Sequence, residues 1–187
     1  MFIDYLDTPL GLFEFMATEQ GICQAIFCGD KISDDKAYGD QKGESKANDI
    51  TELCKQQLIE YFAGQRHAFT VPLDPQGTEF QQSVWGCLAK IPFGTVKSYG
   101  EIAKMLDKPK ASQAVGGANG RNPITLIVPC HRVIGGDGSL TGYAGGIERK
   151  LWLLNHEGVE VKQSNQNAKL DIKNVINKRQ AKTQFLR

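Results

Sequence analysis

Several features are scarce or missing in this chain of 187 residues, and each absence narrows what the chain can be. No apolar run approaches the roughly 20 residues of a membrane helix, so no membrane partner is expected. The opening Met1-Phe2-Ile3-Asp4-Tyr5-Leu6-Asp7 has neither a basic leader nor a sustained apolar stretch, which argues against a signal peptide and for a cytoplasmic location. Only three histidines occur, His67, His131 and His156, and neither a CxxC pair nor a His pair at ligand spacing accompanies the cysteines, so no metal is expected. The glycine patterns that cradle nucleotide phosphates are also absent, which leaves no support for a nucleotide cofactor. Cys23, Cys28, Cys54, Cys87 and Cys130 form an odd set of five, so the expectation is free thiols, with Cys23 and Cys28 buried and structural.

A net charge of +1 hides a polarity along the chain. Residues 1–79 carry 6 basic and 14 acidic groups, residues 80–159 carry 9 and 5, and residues 160–187 carry 7 and 2. A basic second half points to a polyanionic partner, with the acidic half facing away from it.

The patterning predicts an α+β protein in two parts. Phe2 to Leu6, Leu12 to Ala17 and Ile22 to Phe27 are short apolar, aromatic or β-branched runs divided by turn residues, and read as antiparallel strands. Residues 29–48 are polar and glycine-rich and read as an exposed loop. Leu53, Cys54, Leu58, Tyr61 and Phe62 share one helical face, closed by Gly64, that should cover the strands. Val71-Pro72-Leu73-Asp74-Pro75-Gln76-Gly77 reads as a linker, dividing a domain over 1–75 from one over 76–159.

In the second part, Thr78-Glu79-Phe80-Gln81 and Ser98-Tyr99-Gly100-Glu101 are capping boxes that open helices, and Trp85 is expected in the core. A further helix from Ala111 to Ala118 completes a helix-turn-helix outline, which helix pairs that never touch DNA share. That second helix carries Ala114, Gly116, Gly117 and Ala118, although a helical glycine costs around 1 kcal/mol relative to alanine. Tight packing or close approach of a nucleic acid accounts for it equally well. The basic tail, 160–187, is read as flexible, with nonspecific phosphate attraction as the alternative.

Ile124 to Val128 reads as a buried strand that ends at Pro129-Cys130. Most cysteines are inert core residues; His131 and Arg132 set Cys130 apart, because cationic or cationisable neighbours favour a thiolate. Ile147 to His156 reads as an amphipathic helix ended by Gly158, and Glu157 in its last turn needs a cation against the helix dipole. With His131 as that partner, Cys130, His131 and Glu157 have the logic of an activated nucleophile; a solvated surface glutamate is the alternative. Gly142-Tyr143-Ala144-Gly145-Gly146 offers backbone N–H groups and an aromatic wall for a planar base.

Ile127-Val128-Pro129-Cys130-His131-Arg132-Val133-Ile134 resembles the active-site motif of the O6-alkylguanine-DNA alkyltransferases. Gly77-Thr78-Glu79-Phe80-Gln81, Val84-Trp85, Ile91-Pro92-Phe93-Gly94, Ser98-Tyr99-Gly100, Gly116, Asn122-Pro123, Gly142 to Gly146 and Trp152 to Gly158 accompany it in order, so the likeness spans 77–158 and is loose before residue 50. It implies an N-terminal ribonuclease H-like antiparallel sheet with a helix, and a mainly helical C-terminal domain with a winged helix-turn-helix-like motif that enters the minor groove. By position, Cys130 is the alkyl acceptor, His131 its base through a water, Glu157 the orienter of His131, and Asn122 the holder of the active-site segment. Tyr99 acts near the flipped guanine and its 3′ phosphate.

The resemblance further implies that the Ala144 N–H bonds guanine O6 and that the Val133 and Cys130 carbonyls read its amino group. Ala114, Gly116, Arg121, Arg132, Tyr143, Gly145 and Lys150 complete the expected DNA and substrate contacts. Where the family has an arginine that fills the gap left by the flipped base, this chain has Gln113. The expected partner is duplex DNA carrying O6-alkylguanine, with O4-alkylthymine open as a second lesion, bound by a monomer that needs no cofactor. Two rival readings are a cysteine hydrolase, which lacks a papain-type Cys-Gly-Ser-Cys context here, and a lesion-binding relative without transfer, which is expected to lack the cysteine.

Overall fold

The structure, a computed structural model, describes residues 1–28, 31–33, 36–37, 46–164 and 167–170. Strands β1 (Phe2–Thr8), β2 (Gly11–Ala17) and β3 (Ile22–Phe27) form an antiparallel sheet in the order β1-β2-β3, as the alternating pattern predicts. Phe13, Phe15 and Ala17 of β2 alternate onto one buried face, where Phe13 meets Phe27 edge-on at 4.7 Å between ring centres. Inside the span read as a loop, β4 (Lys31–Ser33) pairs with β5 (Lys36–Ala37); the rest of residues 29–45 lies outside the described residues.

Helix α1 (Asp49–Phe62) starts at a reciprocal Asn48/Thr51 capping box and lays Cys54, Leu58 and Tyr61 against the sheet. The chain then returns through Pro72 to Asp74, which brackets Ile22 with two backbone hydrogen bonds, Ile22 N to Pro72 O at 2.8 Å and Asp74 N to Ile22 O at 2.7 Å.

Helices α2 (Glu79–Leu88) and α3 (Tyr99–Met105) begin at the two predicted capping boxes, Thr78/Gln81 and Ser98/Glu101. Asp107, in the left-handed region at φ 56°, turns the chain between α3 and α4 (Ser112–Gly120). Both α3 and α4 pack on α2, and Trp85 of α2 is buried with its indole N–H donating to the Ala118 carbonyl at 2.9 Å. Strand β6 (Lys97–Ser98) pairs in parallel with β7 (Val133–Ile134), and α5 (Ile147–His156) closes the second half. Beyond it, β8 (Val161–Ser164) pairs with β9 (Asn167–Leu170) inside the expected flexible tail; residues 171–187 lie outside the described residues.

The expected strand over Ile124 to Val128 does not form. Ile127 N bonds Thr125 O at 2.9 Å and Val128 N bonds Ile124 O at 2.9 Å, folding the segment into tight turns with Leu126 at φ 72°. Burial without a ladder is affordable because the Asn122 side chain receives Ile124 N at 3.0 Å and donates to Val128 O at 2.8 Å. The edge of β3 also joins in, with Ala25 N on Pro123 O and Thr125 N on Ala25 O, each at 2.8 Å. The two halves of the chain share one hydrophobic core, in which Phe13, Phe27, Leu58 and Tyr61 meet Leu88, Leu126, Val128 and Cys130.

Candidate active site

Cys130 opens a single 3₁₀ turn, Cys130–Arg132, at the end of the Asn122-braced segment and the start of β7. All three residues of the turn are buried. Burial pushes the Cys130 thiol up from its ordinary value, and the Asn122 side chain and the Lys150 ammonium only partly offset this. The neighbours expected to favour a thiolate, His131 and Arg132, are bound to Glu157 instead. A protonated resting thiol therefore needs a base.

The candidate for that base is grouped around Glu157, the residue that caps the C-terminus of α5. His131 Nε2 lies 2.7 Å from Glu157 Oε1. Arg132 makes a two-pronged contact, Nε on Oε2 at 2.8 Å and Nη2 on Oε1 at 2.9 Å, while its Nη1 donates to Ile91 O at 2.6 Å. The Tyr61 hydroxyl donates to Oε1 at 2.7 Å, and the Gly94 N–H to Oε2 at 3.2 Å. Burial alone opposes ionisation of Glu157, but the His131 hydrogen bond and the Arg132 guanidinium reverse it and hold the carboxyl well below the usual carboxylate range.

An ionised Glu157 fixes the histidine tautomer. A carboxylate only accepts, so Nε2 carries the proton and the Nδ1 lone pair is left as the basic site. Nδ1 is buried and has no protein hydrogen-bond partner. Burial also pulls the His131 pKa below its ordinary value, outweighing the Glu157 charge, so the ring is neutral at neutral pH.

Lys150 and Tyr99 meet on the Thr141 carbonyl. Lys150 is fully buried, donating to Val133 O at 2.6 Å and Thr141 O at 2.8 Å, and desolvation brings its pKa down to about 8. Tyr99, the first residue of α3, donates to the same Thr141 carbonyl at 3.0 Å. Burial raises its phenol pKa, so it is an O–H donor at neutral pH. Gly142, at φ 70°, is needed here, since a Cβ would stand 2.6 Å from the Tyr99 hydroxyl.

The remaining predicted residues divide by exposure. Gln113 and Ala114 lie exposed in the first turn of α4, with Gly116 half-buried against the Tyr99 ring and Arg121 exposed just past the helix end. Tyr143 and Val133 are buried, Ala144 is exposed and Gly145 half-buried. Arg132 and Lys150, expected to contact DNA or substrate, are instead buried and turned inward to Glu157 and to two carbonyls. Cys23 and Cys28 are half-buried rather than fully buried. Sequence reasoning missed Tyr61, whose hydroxyl on an otherwise apolar helix face was the available signal. It also missed Arg149, whose Nε donates to Leu10 O at 3.1 Å and Nη1 to Gly145 O at 3.2 Å, tying the glycine-rich stretch to the β1–β2 turn.

Known proteins with the same architecture point in one direction. Models of 6-O-methylguanine DNA methyltransferase match the chain twice, the ribonuclease-like domain over residues 1–75 and the DNA binding domain over residues 79–159. The methylated-DNA–protein-cysteine methyltransferase of Methanosarcina acetivorans is 44% identical over 158 residues, covering 84% of this chain and 99% of its own length. The constitutive protein of the same name from Bacillus subtilis is 44% identical over 158 residues, covering 84% of this chain and 95% of its own. The crystal structure of Mycobacterium tuberculosis OGT in complex with DNA matches with a TM-score of 0.71 and 42% identity, over 83% of this chain and 91% of that one. Matched along both halves in sequence and in fold, this chain belongs to the 6-O-methylguanine DNA methyltransferase family.

Proposed function

We propose that this protein repairs DNA by moving the alkyl group of an O6-alkylguanine onto Cys130, once per molecule. The observation that carries the reading is the protonated, buried thiol beside a histidine whose tautomer Glu157 fixes, within a chain of which 84% is matched by a methylated-DNA–protein-cysteine methyltransferase. His131 Nδ1 takes the thiol proton through a water. The Cys130 sulfur then attacks the alkyl carbon, the C–O6 bond breaks with its electron pair going to the guanine, and the leaving guanine is protonated by solvent, balancing the proton the thiol gave to His131. The product is a thioether. Unlike a thioester it has no carbonyl for water to attack, so the protein is consumed.

Reaching O6 requires the nucleotide to leave the stack, at a cost of a few kcal/mol. The small exposed side of α4 suits a helix that approaches the minor groove, because packing does not demand its glycines: a Cβ at Gly116 would make only ordinary contact, 3.8 Å from the Tyr99 ring. The M. tuberculosis relative was crystallised with DNA, which supports a DNA partner. A single chain supplies every group the transfer uses, so the protein acts as a monomer.

The test is incubation with a duplex oligonucleotide containing O6-methylguanine. One methyl group should appear on the peptide that contains Cys130, in a yield that stops at one per protein. An unmodified peptide beside intact lesion, or a yield that rises past equivalence, would overturn the reading.

Two further results are expected. Because transfer needs a neutral His131 whose pKa lies below the ordinary 6.5, the rate should be flat near neutrality and fall only in mildly acidic buffer. A single-turnover profile that already falls between pH 8 and 7 would contradict this. Gln113→Arg should raise the transfer rate constant, since a longer cationic side chain in the exposed first turn of α4 can hold the vacated stack and the phosphates. An unchanged constant in stopped-time assays would show that extrusion is not limited there.

A further inference from the structure

One of the groups on Glu157 comes from the other half of the chain. Tyr61, on α1, is fully buried, and its hydroxyl donates to Oε1, the same oxygen that faces His131 Nε2, each at 2.7 Å. Its ring is held by Phe69 at 5.5 Å, Phe93 at 6.2 Å and His156 at 5.2 Å between centres, and its carbonyl bonds His156 Nε2 at 2.8 Å. We propose that Tyr61 is a positioning residue for alkyl transfer, through which the N-terminal half orients the Glu157–His131 pair and sets the basicity of His131. The inference rests on the function proposed above.

The argument is one of shared charge. The groups facing Glu157 are His131 and Arg132 from the 3₁₀ turn, Tyr61 from α1 and the Gly94 N–H from the loop after α2, with Lys150 of α5 also acting on His131 and on the Cys130 thiol. Each donor on Oε1 draws charge from the oxygen that pulls on the His131 N–H, so removing the tyrosine hydroxyl leaves more of it for His131. The imidazole becomes more basic and less firmly aimed. A tyrosine present only to fill the core would have no such effect, since phenylalanine keeps its ring.

In the test, methyl transfer from an O6-methylguanine duplex is followed under single-turnover conditions across pH for the wild type and Tyr61→Phe. The variant should react about tenfold more slowly near neutrality, the cost of one hydrogen bond to a charged group, and its acid limb should move up by about half a pH unit or more. An equal rate with an unmoved acid limb overturns the proposal, and so does a fall in melting temperature with both unchanged. In the wild-type protein, proton NMR should show a slowly exchanging Tyr61 hydroxyl whose shift moves as His131 titrates. A hydroxyl signal that ignores that titration overturns the proposal even if Tyr61→Phe does not fold. Failure of the wild type to methylate Cys130 would instead count against the function itself.

Discussion

Cys130→Ser should abolish transfer altogether, with no methylated peptide at any incubation time, while the variant still binds duplex DNA carrying the lesion. A serine hydroxyl is far less acidic and less nucleophilic than a thiol, and a neutral His131 is too weak a base to ionise it at an alkyl carbon with no oxyanion to stabilise. Two of the other thiols are poorly placed to stand in. Cys54 is buried, with its pKa pushed up to about 12 by desolvation and by Asp4, and burial raises Cys23 as well. Peptide mass spectrometry paired with a gel-shift titration checks both halves of the expectation; a methyl group found on any of the four remaining cysteines would relocate the nucleophile.

Glu157→Gln should destabilise the fold by about 3–5 kcal/mol, because it removes one partner of a buried ion pair and leaves Arg132 uncompensated. The carboxylate accepts from four residues, His131, Arg132, Tyr61 and Gly94, and a glutamine amide would turn a donor toward one of them. Urea denaturation measures the loss, and adding Arg132→Leu should restore part of it, which independent effects would not do.

The same pair sets the acid behaviour. Glu157 has a folded pKa below its unfolded one, so its contribution is complete above the unfolded carboxylate value, about 4.3, and is lost as pH falls toward the folded value. His131 is also depressed, so stability begins to fall once pH drops below its unfolded value of about 6.5. Wild type should therefore weaken in two stages on acidification, and Glu157→Gln should lose from the lower one the part that Glu157 contributes. A variant with an unchanged acid profile would show that Glu157 is not ionised in the fold.

Local signals were read reliably where the physics is local. The Thr78/Gln81 and Ser98/Glu101 boxes open α2 and α3 because a cap needs only residues three apart, and the alternation in β2 buries Phe13 and Phe15 as its period requires. The failure at Ile124 to Val128 has the same root. An apolar run reports burial but not the partners of its backbone, and here Asn122 and the edge of β3 supply them in place of a ladder. Arg132, expected beside the thiol and among the DNA or substrate contacts the resemblance implies, is a related case, because nothing within the segment tells that it is buried against a carboxylate.

The sequence by itself singled out Cys130 as the candidate reacting group, through a cysteine followed by histidine, a glutamate at the end of an amphipathic helix and the flanking resemblance, and it left the small face of α4 open between tight packing and close approach. Only the tertiary structure decided how they meet. His131 and Glu157 are 26 residues apart, and Tyr61 and Glu157 are 96 apart. Those contacts follow from one core shared by both halves, and hydrophobic patterning encodes which faces are buried without encoding which buried polar groups find each other.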